Sequence, residues 1–317
     1  MSDRKSVGWT ALFAALAMTW TASLTPSPAT AQAKLVVAVA PAPEMVAAFI
    51  AREQGLFKKN GLDAEVRVIQ GGAAIPVALA SGGIQIGVFG TPNLLQANDS
   101  GLDFVVVAGG AVASKTDENY GIVAKAGSGI ETPKDLAGKK IALPGLEGFF
   151  HVLAREWLTK SGVDYTTVTF IEGNFPALGD ILKAGTVDAI VTTQPFLGRA
   201  ISSGAGAKVF HIAHELPDGL PPFVYVATRK WAEANPAVVK AFKQSIAEAI
   251  TVAETNVEAS RADYGKYVKL PPEALATVQW NKMSADVRPD QIQLWIEMMQ
   301  RQKMLKTQID AASLFPK

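Results

Sequence analysis

Ten short aliphatic and β-branched runs, separated by segments of helical periodicity, limit this chain to an α/β architecture. The runs are Leu35–Val39, Ala64–Ile69, Ile84–Phe89, Phe104–Ala108, Gly121–Ala124, Lys140–Leu143, Thr166–Ile171, Val187–Val191, Lys208–Ile212 and Phe223–Ala227. Most lack polar alternation, which is how strands covered on both faces read. Between them lie amphipathic stripes. Met45, Ala48, Phe49, Arg52 and Leu56 share one face, and Phe150, Leu153, Ala154, Trp157 and Leu158 share another, which Gly162 ends. Thr132-Pro133-Lys134-Asp135 supplies an N-cap, a first-turn proline and an acid at the third position. Strand and helix in alternation predict parallel sheets.

The last third changes character. Asn235-Pro236 opens a long helix with Val239, Phe242, Ile246, Ala249, Ile250, Ala253 and Val257 on one face. Pro271-Pro272 and Arg288-Pro289 punctuate two further helices, the last carrying Ile292, Trp295 and Met299. Two α/β blocks with a helical tail predict that the tail returns over the first block. A single doubly wound domain with a helical cap is the alternative.

Charge and composition remove several classes of function. The 317 residues carry 30 Lys and Arg against 29 Asp and Glu, without the basic excess of a nucleic-acid binder. There is no cysteine, so thiol nucleophiles, disulfides, thiolate zinc sites and iron–sulfur clusters are excluded together.

Residues 1–33 read as an export signal rather than as part of the fold. Arg4 and Lys5 precede an apolar stretch from Val7 to Leu24, and Ala29-Thr30-Ala31 and Ala31-Gln32-Ala33 follow as overlapping small-residue cleavage sites. Cleavage is expected after Ala31 or Ala33. Removing residues 1–33 leaves 28 basic and 28 acidic side chains, net zero. Export without cysteine fits a periplasm.

Motifs for catalysis are missing. The sequence has no G-x-x-x-x-G-K-[ST] phosphate loop, no G-x-S-x-G elbow and no G-x-G-x-x-G fingerprint. His211-Ile212-Ala213-His214-Glu215 matches neither zinc-helix pattern, and only His151 remains as a further histidine. No metal and no cofactor are expected.

The loops after the strands carry the functional expectation, because open α/β sheets bind ligands outside the carboxyl ends of their strands. The first offers Pro43 and Glu44, the second Gln70, Gly71 and Gly72, and the third Thr91, Pro92 and Asn93. In the second block Tyr120 opens a strand. Glu147, Gly148, Phe149 and His151 lead into one helix, Glu172, Asn174 and Phe175 into another, and Thr193, Gln194 and Phe196 into a third. The threonines and asparagines also suit helix N-caps, and the two roles can coincide. Phe150 fits the core stripe, which predicts Phe149 as the freer ring. His151 lies off that stripe, facing either solvent or the cleft.

Four strings, in order and spacing, carry a family resemblance. They are Ala51-Arg52-Glu53-Gln54-Gly55-Leu56-Phe57-Lys58-Lys59-Asn60-Gly61-Leu62, Ala78-Leu79-Ala80-Ser81-Gly82-Gly83-Ile84-Gln85-Ile86-Gly87, Thr132-Pro133-Lys134-Asp135-Leu136-Ala137-Gly138-Lys139-Lys140, and Leu182-Lys183-Ala184-Gly185-Thr186-Val187-Asp188-Ala189. From about residue 34 to about residue 250 the chain resembles the periplasmic substrate-binding proteins of ABC importers of the nitrate, sulfonate and taurine type, a group that includes binders of the thiamine pyrimidine precursor. The resemblance implies a two-lobed periplasmic-binding-protein fold of type II, with crossover strands as hinge and a helical C-terminal tail. It implies lobe I at 34–112 and 228–317, lobe II at 120–223, and hinges at 113–119 and 224–227.

By the same resemblance the post-strand loops would hold the ligand, and an ABC permease would receive it. In sulfonate and taurine relatives the loop before the lobe II helix commonly presents Ser or Thr to the anion. Here Gly145-Leu146-Glu147-Gly148-Phe149-Phe150-His151 stands instead, and a carboxylate beside a partly desolvated anion is repulsive. A neutral, cationic or nitrogen-heterocyclic ligand is therefore expected, stacked on Phe149, Phe175 or Phe196 and bonded by Glu147, Asn93 or Gln194. A sulfonate or nitrate is the alternative ligand. The expected role is a monomeric, non-enzymatic solute binder. Competing roles are a ligand-sensing subunit for a membrane receptor and a pyrimidine-precursor synthase; related synthases carry a Cys-rich motif that is absent here.

Overall fold

The computed structural model describes residues 34–69 and 74–317; the export signal and Gln70, Gly71 and Gly72 lie outside them. All ten expected strands form, in two five-stranded sheets. The first block runs β1 (Lys34–Val39), α1 (Val46–Glu53), α2 (Leu56–Lys59), β2 (Asp63–Val68), α3 (Ala74–Ala80), β3 (Ile86–Gly90), α4 (Thr91–Asp99) and β4 (Phe104–Gly109). The second runs β5 (Tyr120–Lys125), β6 (Lys140–Leu143), α5 (Phe149–Lys160), β7 (Thr169–Glu172), α6 (Phe175–Lys183), β8 (Ala189–Thr193), α7 (Phe196–Ser202) and β9 (Gly206–His211). The chain then re-enters the first sheet as β10 (Phe223–Thr228).

The sheet orders are β2-β1-β3-β10-β4 and β7-β6-β8-β5-β9. In each, three strands run parallel and the strand that has crossed from the other block, or left for it, pairs antiparallel: β10 against β3 and β4, β5 against β8 and β9. This is the α/β architecture that the alternation of runs predicts, in the two-lobed form that the family resemblance implies. The parallel strands β1, β3, β6 and β8 are almost wholly buried, because helices cover both faces of their sheets.

Most strand ends shift from the sequence expectation by one or two residues, and two boundaries differ by more. The run predicted from Thr166 begins as a strand at Thr169, because the Asp164 carboxylate accepts from the Thr166 amide at 2.9 Å and its hydroxyl at 2.7 Å and closes a 3-10 turn. The expected hinge at 224–227 lies inside β10, a strand bonded on both sides within the first sheet. The return between sheets runs instead over residues 212–222. Thr91 and Trp295 grip its end, with the Thr91 hydroxyl donating to the Pro221 carbonyl at 2.6 Å and the Trp295 indole N–H donating to the same oxygen at 2.8 Å.

The tail comprises α8 (Arg229–Ala234), α9 (Pro236–Thr255), α10 (Val257–Gly265), α11 (Pro272–Ala276) and α12 (Pro289–Arg301). Phe242, Ile246, Ala249, Ile250 and Ala253 of α9 are buried in the same apolar cluster as α1. Phe49 of α1 stacks on Tyr267 just after α10. The buried face of α12 goes elsewhere: Ile292, Trp295, Ile296, Met298 and Met299 join the cluster that also holds Phe149, Val152 and Leu153 of α5. The tail thus packs against both blocks. Among the described residues, no helix is long and apolar enough to cross a membrane.

Candidate ligand-binding cleft

The carboxyl ends of β1 and β3 face those of β6 and β8, and side chains from both sides meet between them. After β1, Pro43 starts a 3-10 turn at Pro43–Met45 that turns Glu44 inward, where it is 2 % exposed. The Thr193 hydroxyl at the end of β8 donates to Glu44 Oε1 at 3.1 Å. Glu44 Oε2 is buried and has no hydrogen-bond partner. Burial pushes this carboxyl up to about 7, and the nearby Asp117 charge adds to the rise.

Tyr120, at the start of β5, presents its hydroxyl to the same place. It is buried beside Glu44 and Asn281, and burial together with the Glu44 and Asp117 charges keeps it protonated far into alkali. Asp117, in the crossover between β4 and β5, accepts from the Asn119 amide at 2.9 Å and from Asn281 Nδ2 at 2.7 Å. Burial raises this carboxyl as well. Asn281 Oδ1 is again buried and unpartnered. Three buried polar atoms, Glu44 Oε2, Tyr120 Oη and Asn281 Oδ1, thus belong to one network that spans both lobes and the tail, in contact with one another but short of well-formed hydrogen bonds. Buried polar atoms left unpaired are costly, so such a cluster marks a place where a ligand can add bonds.

This network adjoins a cleft of about 1370 Å³. Pro43, Asp117, Asn281 and Gln194 line it near the buried cluster; Phe196, Arg199 and the tail segment around Tyr267, Pro271 and Trp280 form its walls. Phe196 stacks on Phe175 at 5.4 Å, and Gln194 Oε1 accepts from the Gly198 amide at 3.2 Å. Arg199, Lys269 and Lys282 share the rim with Glu118 and Glu273, all exposed.

A second junction lies where α4 meets α5. Asn93 Oδ1 accepts from the Phe149 amide at 3.3 Å, and Gln96 Nε2 reaches Glu147 Oε2 at 3.5 Å. Two glycines permit this approach: a Cβ at Gly90 would stand 2.9 Å from Phe149 Cβ, and one at Gly148 would stand 2.7 Å from Asn93 Nδ2.

The sequence-predicted residues therefore divide. Pro43, Gln194 and Phe196 line the cleft, with Phe175 behind Phe196, while Glu44, Tyr120 and Thr193 form the buried cluster beside it. Thr91 is spent on the fold: its hydroxyl donates to the Pro221 carbonyl and its amide to the Pro222 carbonyl. Pro92 is buried in the first turn of α4, while Asn93 and Gly148 form the α4–α5 junction. Glu147 is exposed at φ 63°, with its carboxylate on Gln96 rather than in the cleft. Glu172 is exposed, and Asn174 caps α6 by accepting from the Ala177 amide.

Phe149 is not a free ring. It is 2 % exposed among Tyr120, Phe150, Phe223 and Trp295, because α12 and β10 supply an apolar wall that the stripe of α5 alone does not reveal. His151 faces neither solvent nor cleft: its Nδ1 accepts from the Glu147 amide at 2.8 Å and its ring lies on Phe170. Burial, with Arg155 nearby, lowers its pKa to about 3. Asp117, Asn281, Arg199 and Trp280 escaped the sequence reading. Arg199 lies within a helix, one turn beyond the loop where ligands were sought, and nothing in the local pattern of 267–282 marks a binding wall.

The pattern of relatives agrees with this geometry. Residues 42–259 match the family model described as NMT1/THI5 like. The chain belongs to this family. A Brucella abortus protein named only as a binding protein is 29% identical over 238 residues, covering 74% of this chain and 71% of that one. The taurine-binding periplasmic protein of Escherichia coli is 30% identical over 197 residues, 61% of this chain and 58% of that one. Among solved structures, the periplasmic aliphatic sulphonate binding protein of Escherichia coli superposes with a TM-score of 0.75 at 21% identity, covering 89% of this chain and 97% of that one. This NMT1/THI5-like protein is a substrate-binding protein of the periplasmic, ABC-importer type.

Proposed function

We propose that this chain, exported and trimmed of residues 1–33, captures a small non-anionic organic molecule between its lobes and hands it to an ABC permease without chemical change. A cationic amine or a nitrogen heterocycle suits the cleft best. Lobe I is taken as residues 34–112 and 223–317 and lobe II as 120–211, with crossovers at 113–119 and 212–222 acting as hinge, and the protein works as a monomer.

The observation that carries this reading is the buried, half-satisfied carboxylate of Glu44, with the Tyr120 hydroxyl and Asn281 carbonyl beside it. A donor-bearing ligand would satisfy Glu44 Oε2, whereas an anion there would meet Glu44 and Asp117 at low dielectric. The cations Arg199, Lys269 and Lys282 stand at the solvent-exposed rim, where screening weakens them. Phe196, backed by Phe175, supports a flat or apolar ligand body.

Native mass spectrometry of residues 34–317, purified gently from the protein's own periplasm, tests the reading. A cationic or heterocyclic adduct supports it, and a sulfonate or nitrate adduct overturns the ligand class. A thermal-shift panel covers both classes, since a true ligand at 100 times its dissociation constant adds about 2.7 kcal/mol.

A further inference from the structure

Glu44 sits at a junction that exists only while the lobes are together. Its carboxylate comes from the loop after β1, and the Thr193 hydroxyl and Tyr120 ring that enclose it come from β8 and β5 of the other sheet. Its carboxylate accepts from the Thr193 hydroxyl and lies against the Tyr120 hydroxyl, and none of its hydrogen-bonding neighbours carries a positive charge. No cationic side chain among the described residues bonds to it. The titratable groups facing it are Asp117 from the β4–β5 crossover, Tyr120 from β5 and Tyr264 from α10, none of which supplies a positive charge. His211 and His214 face Asp117 rather than Glu44. Separating the lobes would return the carboxylate to water.

We propose that lobe closure is coupled to uptake of one proton by Glu44, so that the ligand-free protein closes in acid and opens in alkali, unless a cationic ligand supplies the missing charge. This deepens the proposed reading of the same site, but the coupling is a property of the empty protein. The sign follows from burial: the closed form holds the proton more tightly, so closure is fully favoured below the open-state value of 4.5 and loses that support as pH rises through about 7. Between pH 8 and pH 5 these two values shift the closed-to-open ratio on the order of 50-fold.

The absence of cysteine makes the test direct. Lys58→Cys in α2 and Lys183→Cys in α6, both exposed, place one dye on each lobe of the ligand-stripped protein. The inter-dye distance is then followed from pH 8 to pH 5. The expected result is progressive closure in the parent, a flat and closed profile in Glu44→Gln, and a retained dependence in Asp117→Asn. A flat parent profile, or one that Asp117→Asn abolishes and Glu44→Gln leaves intact, overturns the proposal. Should Glu44→Gln fail to fold, Thr193→Val serves: losing the bond to the carboxylate must move the closure midpoint to higher pH, and an unmoved midpoint overturns the coupling. None of these readouts uses a ligand, so an anionic adduct in the binding screen would sink the ligand class and leave this result standing.

Discussion

The loops after β1 and β6 are built alike and end differently. Each leaves a buried parallel strand, presents a proline, then a glutamate within five residues, and enters a helix. Yet Glu44 is buried between the lobes with one oxygen unpaired, while Glu147 stands in solvent at φ 63° and touches Gln96. The difference lies in what fills the space beyond. After β6, Phe149 occupies the interior against Trp295 and Phe223, and Glu147, two residues earlier, is left outside. After β1, no comparable ring follows Glu44, and Thr193 and Tyr120 give its carboxylate somewhere polar to go. Two similar local sequences therefore produce an exposed glutamate beside a structural plug and a carboxylate buried between the lobes.

Substitutions can break that contrast, beginning with the plug. Phe149→Ala should cost about 3–5 kcal/mol of stability in urea melts. If the ring were instead a ligand platform, the loss would appear in affinity with the melt nearly unchanged. His151 comes next. Its pKa falls from 6.5 unfolded to about 3 folded, so the folded state binds fewer protons across that window and stability drops as pH falls below 6.5. The slope should approach about 1.4 kcal/mol per pH unit. His151→Gln should flatten it, and equal slopes in the two proteins would show that other groups govern acid unfolding.

Smaller effects sharpen the other side. Glu44→Gln should weaken a cationic ligand about tenfold or more in calorimetry, the scale of one lost charge-assisted hydrogen bond; unchanged affinity would move recognition elsewhere in the cleft. Glu147→Gly should leave that affinity alone and raise stability by about 0.5 kcal/mol, as relief of positive-φ strain slightly exceeds the added backbone entropy. A loss of binding in this variant would restore Glu147 to the site.

Local pattern determined a good deal of this protein. The β-branched runs announced all ten strands, because burial on both faces demands unbroken apolar stretches. The Thr132-Pro133-Lys134-Asp135 string announced its capping box, since the Asp135 carboxylate reaches the Thr132 amide within one turn. Gln194 and Phe196 were legible as residues of the strand-end loops, and the structure sets them on the cleft wall with Glu44 and Thr193 buried beside it. What the chain could not reveal locally was which of those loops meets an apolar wall. Phe149 is enclosed by residues 74 and 146 positions away in Phe223 and Trp295, and Asn281 reaches Asp117 across 164. Such contacts depend on how distant segments pack, and periodicity reports only which way a residue faces within its own helix or strand. The sequence by itself settled the strands and the helices; only the tertiary structure decided which carboxylate was buried at their ends, because burial belongs to the assembled neighbours rather than to the loop that carries the charge.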